Sequence, residues 1–192
     1  MSRIIAGSHK GHRLATPPGE ATRPTSDRVR EAVFGMLASE LGRAGDPSVM
    51  LAGCGFLDLY AGSGAVALEA ASRGADRVVA VEHDRRAAEV IRRNVRETGL
   101  AVRVVPSSVE KYLAGPPQPF DICWLDPPYA FPGGTVDAAL ARIAADWLTD
   151  DGIVIVERSR RAEGPQWPGR LGDRWQRRYG ETTLHCAREG NG

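Results

Sequence analysis

The chain has 192 residues, 42% hydrophobic and 26% charged, with a formal net charge of +1. That length suits one domain burying roughly 70% of its unfolded surface, and the composition is ordinary for a soluble protein. No apolar run approaches the ~20 residues of a membrane span. The opening Met1-Ser2-Arg3-Ile4-Ile5-Ala6-Gly7 lacks a signal peptide's apolar core, so a cytoplasmic location is expected.

Cys54, Cys123 and Cys186 have no C-x-x-C spacing, and His9, His12, His83 and His185 are scattered without a zinc pattern. No metal site is expected, and the cysteines are expected to be buried, reduced thiols. Residues 1–30 carry six basic side chains (Arg3, Lys10, Arg13, Arg23, Arg28, Arg30) against Glu20 and Asp27. That excess suits a phosphate-rich partner, although charge alone favours a solvated basic arm.

In chain order, two short apolar stretches around Gly7-Ser8-His9-Lys10-Gly11 predict a β-hairpin arm. Arg23 to Asp27 is a loop in which Thr25 or Ser26 caps a helix carrying Val29, Val33, Met36, Leu37 and Leu41 at helical spacing. Gly42 to Gly53 reads as a linker. A strand is expected over 56–60, a helix over 65–73, a strand over 77–82 and a helix from Asp84 to Thr98. Strands over 102–105 and 120–125, a helix from Val136 to Leu148 and a strand over 153–156 follow. The tail from Gly172 to Arg188 suggests an antiparallel edge hairpin. Such alternation predicts an α/β fold with a doubly wound, mostly parallel sheet. An N-terminal hairpin extends it and an antiparallel C-terminal edge strand closes it. Residues 1–22 are expected to form the arm and 23–192 the main domain.

In such a sheet, ligands bind at the carboxyl ends of the strands. One such end carries Asp58-Leu59-Tyr60-Ala61-Gly62-Ser63-Gly64, where two glycines let backbone approach a ligand that a Cβ would block. Glu82, at the next strand's end, suits the two hydroxyls of a ribose. Gly62-x-Gly64-x-x-Ala67 also fits the dinucleotide fingerprint, which keeps an NAD-dependent oxidoreductase open. Asp58 would repel a pyrophosphate, so a nucleoside cofactor without phosphates fits better. A second strand end carries Asp126-Pro127-Pro128-Tyr129. Two prolines remove N–H donors and leave an acceptor-rich turn beside an aromatic face. That turn suits an exocyclic NH2, which offers two protons. Asp126, Pro127, Pro128 and Tyr129 are therefore the candidate catalytic residues.

D-x-x-x-G-x-G followed by D-P-P-Y resembles class I methyltransferases acting on the amino nitrogens of bases. With Arg3-Ile4-Ile5-Ala6-Gly7, Arg23-Pro24-Thr25 and Asp27-Arg28-Val29-Arg30-Glu31, the chain resembles the bacterial 16S ribosomal RNA guanine-N2 methyltransferase family, which acts on guanine 966. The match runs from residue 3 to about 131 and resumes weakly at Tyr179-Gly180. The resemblance implies S-adenosylmethionine as cofactor, lined by Asp58, Tyr60, Ala61, Gly62, Ser63, Gly64 and His83, with Glu82 at its ribose. It implies that Thr25 and Arg28 close over the cofactor, and that Arg3, Lys10, Arg13, Arg23 and Arg30 contact RNA. The partner would be 16S rRNA in the small ribosomal subunit or an assembly intermediate, and a monomer is expected. Where the family pattern calls for an acid or amide at the adenine, this chain has Ser107 and Ser108. Residues 42–55 are longer and more irregular than the family pattern suggests, and the segment 158–171 is likewise unanchored in it. Other readings are an amino methyltransferase on DNA adenine or a protein glutamine amide, and a non-catalytic RNA-binding module. The short chain and the basic arm weigh against the first two, and the intact Asp126-to-Tyr129 turn against the third.

Overall fold

A computed structural model describes residues 2–17, 26–128 and 133–190. The arm forms as expected, with β1 (Ser2–Arg3) antiparallel to β2 (Arg13–Leu14). Helix α1 (Asp27–Glu40) starts at Ser26, whose side chain accepts the Val29 amide. A 3-10 turn (Pro47–Val49) lies inside the expected linker, started by Pro47 and an Asp46 cap.

Then come β3 (Gly55–Leu59), α2 (Ala65–Ser72), β4 (Arg77–Glu82), α3 (Arg85–Thr98) and β5 (Val102–Pro106). A short α4 (Val109–Leu113), unforeseen because its five residues span little more than one turn, is capped by Ser108. β6 (Phe120–Leu125) and α5 (Gly133–Arg142) follow. The helix widens into a π turn (Ile143–Trp147), and Leu148 already begins β7 (Leu148–Ser159) by pairing with Phe120. The last helix is therefore shorter, and the strand longer, than the sequence suggested. β8 (Asp173–Tyr179) and β9 (Thr182–Arg188) complete the chain.

Seven strands form one sheet in the order β5-β4-β3-β6-β7-β9-β8. The first five are parallel, and β9 runs antiparallel to both neighbours. The C-terminal hairpin closes the edge as expected, but its final strand lies inside and β8 is outermost. Leu184, Cys186 and Ala187 of β9 are buried, whereas β8 is largely exposed, so the more apolar strand takes the covered position.

Alternate strand residues enter two cores. Phe56, Val78, Ala80, Ile122, Trp124, Ile153 and Ile155 face α1, α2 and α3, while Leu57, Val79, Val81, Cys123, Val154 and Val156 face α4 and α5. All three cysteines are free and buried. Among the described residues no helix is long and apolar enough to cross a membrane. Strand order reverses between β3 and β6, and this switch point lies at the expected site.

Candidate active site

β3 leads into a turn of unusual backbone. Tyr60 (φ 64°) is the one non-glycine residue with positive φ among the described residues, and Gly62 (57°) and Gly64 (75°) share that region. A tyrosine held there costs of order 1–3 kcal/mol, which is typical of functional sites. Gly64 is required sterically, since a Cβ would sit 2.7 Å from Ile91 Cγ2; at Gly62 a Cβ would enter open space. Ser63 and Ala61 are half-buried between them.

Asp58 is 1% exposed, and its Oδ2 accepts the Ala67 amide of α2 at 3.0 Å. It therefore lies behind the turn and ties it to the first turns of that helix. Burial raises its pKa to about 8 against that hydrogen bond, and the charge of Glu82 adds to the rise. The Tyr60 hydroxyl is pushed up to about 12, by burial and then by Glu110.

Glu82 spans the two strand ends. One oxygen accepts the Gly62 amide at 2.7 Å, the other accepts the Asp84 amide at 2.8 Å, and His83 Nδ1 lies 3.0 Å away. Each carboxylate oxygen has a second acceptor site, so both amides and two ribose hydroxyls can be served together. Beside it, Tyr60, Val81, His83, Ser107, Ser108, Val109 and Glu110 line a cleft open to solvent. The Ser107 amide donates to the Glu82 carbonyl, and Ser108 Oγ is occupied capping α4. Val81, Val109 and the Tyr60 ring give this cleft an apolar side.

At β6 the Asp126 amide donates to the Leu59 carbonyl at 3.3 Å, placing the proline turn directly beside the glycine turn. Asp126 and Pro127 line a second cleft with Glu157, Arg158, Ser159 and Ala162. Glu157 escaped the sequence reading. Leu125 pairs with Val156, so Glu157, two residues before the end of β7 and 9% exposed, stands next to Asp126. Its signal was an acid placed directly after the unbroken Ile-Val-Ile-Val run. Pro128 is half-buried; Tyr129, Thr25 and Arg23 lie outside the described residues.

The arm is fastened to this floor. The Glu69 carboxylate accepts the Ile5 and Ala6 amides, and Ser72 binds Ala6 and His9. Asn94 accepts the Ala15 amide and donates to the carbonyls of both Ala15 and Ser63, so one side chain joins the arm to the glycine turn. Arg3, Lys10, Arg13 and Arg28 are exposed. Arg30 is not: it is fully buried, donating to Asp27, Ser2 and the Ala65 carbonyl, with Glu69 3.9 Å away. It anchors the arm from within, which corrects its assignment as an RNA contact. Helical spacing placed Arg30 on the polar face, but the arm covers that face.

A family model described as Conserved hypothetical protein 95 matches residues 2–188. The Ribosomal RNA small subunit methyltransferase D of Escherichia coli (strain K12) is 37% identical over 158 residues, covering 81% of this chain and 73% of that protein. The chain belongs to this methyltransferase family. A solved structure of the Escherichia coli protein yhhF matches with TM-score 0.83 at 28% identity, over 99% of each chain. The Thermus thermophilus protein TTHA0928 matches with TM-score 0.78 at 33% identity, over 98% of this chain and 99% of that one. As a member of this family the chain is a methyltransferase. Open space at Gly62, spare acceptor capacity on Glu82 and an apolar cleft beyond it fit a nucleoside such as the cofactor that the resemblance implies.

Proposed function

We propose that this chain methylates the exocyclic N2 of a guanine of the position-966 class in 16S ribosomal RNA, within the small subunit or an assembly intermediate. The observation that carries this reading is the pairing of Asp126 and Glu157 in one cleft at the strand ends, beside the glycine turn. Two carboxylates and the Pro127 carbonyl form an acceptor array, and the Watson–Crick edge of guanine presents N1–H and N2–H2 as donors. The names of the ribosomal RNA relatives support the substrate class. In this proposal the enzyme works as a cytoplasmic monomer, and residues 1–22 form an arm that closes over cofactor and RNA.

S-adenosylmethionine supplies a methyl group already activated on sulfur. Gly62 and Gly64 would admit it closely, Asp58 would hold the turn in place, and Glu82 would hold the ribose hydroxyls. Asp126 and the Pro127 carbonyl accept the N2 protons and turn the nitrogen lone pair toward the methyl carbon. The Asp126 carboxylate would offset the positive charge that grows on N2 during transfer. Asp126 does not deprotonate N2 beforehand, because a neutral arylamine is too weak an acid; it receives the surplus proton afterwards and passes it to water. The base must leave its stack to reach this turn, which favours a loop or bulge as substrate.

The test is transfer of labelled methyl to small ribosomal subunits from cells lacking the enzyme, with the product nucleoside identified by mass. N2-methylguanosine at one site is the expected result. Label confined to DNA or protein would overturn the RNA substrate.

A further inference from the structure

We propose that the C-terminal hairpin and the loop before it form the main docking surface for the phosphate backbone of the substrate RNA, an inference that rests on the RNA reading above. Residues 158–180 carry seven arginines against Glu163 and Asp173, in a chain whose net charge is only +1. The fold gathers five of them beside the catalytic cleft. Arg158 and Arg178 both pair across the sheet with Thr183, so they flank it on one face, and Arg158 itself lines the cleft with Asp126 and Glu157. Arg160 and Arg161 are exposed in the turn that follows β7, where the Arg160 amide meets the Glu181 carbonyl at the hairpin's own bend. Arg177 is exposed on the outermost strand, in the cross-strand row of Glu157.

No acidic side chain among the described residues lies within ion-pairing distance of these five, whereas Arg170 and Arg188 each hold two acids. Their charge is felt locally: the His185 pKa is lowered, first by burial and then by Arg158 and Arg178. Arginine is the residue type suited to bidentate phosphate contacts. On the N-terminal side the supply is smaller than the sequence promised, since Arg30 is buried and Arg3 faces Asp27 at 3.5 Å.

The experiment compares wild type with R160Q/R177Q/R178Q, a variant of exposed positions only, for affinity to 16S rRNA across a salt series. R160K/R177K/R178K serves as the charge-retaining partner, and R103Q, on the opposite edge strand β5, as the control. The glutamine variant should bind about tenfold more weakly at low salt, and its log–log salt slope should be shallower by about two. Its S-adenosylmethionine affinity should be unchanged, and the lysine variant and R103Q should keep the wild-type slope. Equal affinity and slope in wild type and glutamine variant would overturn the docking surface while leaving the substrate reading intact. If the variant instead self-associates with RNA binding unchanged, the arginines serve to protect an exposed edge strand, and the proposal again falls. Wild type that binds the cofactor but neither binds nor methylates the RNA would overturn the substrate reading itself.

Discussion

Asp126 and Glu157 stand side by side, one position beyond the Leu125–Val156 pair, where β6 ends and β7 runs two residues further. Thr182 Oγ1 donates to Glu157 at 3.4 Å, and the remaining acceptor sites of two carboxylates in one cleft match the donors of an amino-bearing base edge. Asp126→Ala should lower the single-turnover methylation rate about a hundredfold with little change in cofactor affinity. Glu157→Gln, which can still accept one hydrogen bond, should raise the KM for RNA more than it lowers kcat. Unchanged single-turnover rates in Asp126→Ala would remove that residue from the mechanism.

Asp58 makes a pH prediction with a definite sign. Its pKa in the folded chain is about 8, against 3.8 for the unperturbed group. A folded pKa raised in this way contributes stability that is complete below about pH 4 and is lost as pH rises through 8. The difference in melting temperature between wild type and Asp58→Asn should therefore move in the variant's favour across that window and level off above it. A difference independent of pH from 5 to 9 would show that Asp58 stays ionised in the fold.

Glu69 is fully buried and gathers the Ile5 and Ala6 amides, Arg73 Nε at 2.8 Å and Arg30 at 3.9 Å. Removing it leaves two buried guanidinium groups without their shared carboxylate, which costs about 3 kcal/mol or more. Glu69→Ala should lose that much stability in denaturant titration and expose the arm to proteolysis near residue 9. Persistent protection of the arm would show that Ser72 and Asn94 suffice to hold it.

Gly64→Ala meets two penalties together, a left-handed backbone and a Cβ only 2.7 Å from Ile91 Cγ2. The variant should be destabilised by more than about 1 kcal/mol and bind S-adenosylmethionine at least tenfold more weakly by calorimetry. Wild-type affinity would mean that the turn relaxes without disturbing the cofactor's seat.

The alternation of strands and helices, the glycine turn after Leu59, Glu82 at the end of β4 and the proline turn after Leu125 were all legible in the chain itself. Each follows from a short-range rule: period, capping and backbone freedom act within a few residues, and a parallel sheet places strand ends on one rim. The rest waited on the packed fold. Arg30 reads as a surface charge until the arm lies over it, and Asn94 reads as a polar position on α3 until Ala15 and Ser63 reach it. Glu157 became a neighbour of Asp126 only through the pairing of β6 with β7, and the arginines near the C-terminus meet the cleft only because β9 inserts between β7 and β8. These relationships join residues about thirty to eighty positions apart, and no local pattern encodes them, because the choice among strand orders and covering faces rests on which surfaces bury the most apolar area together.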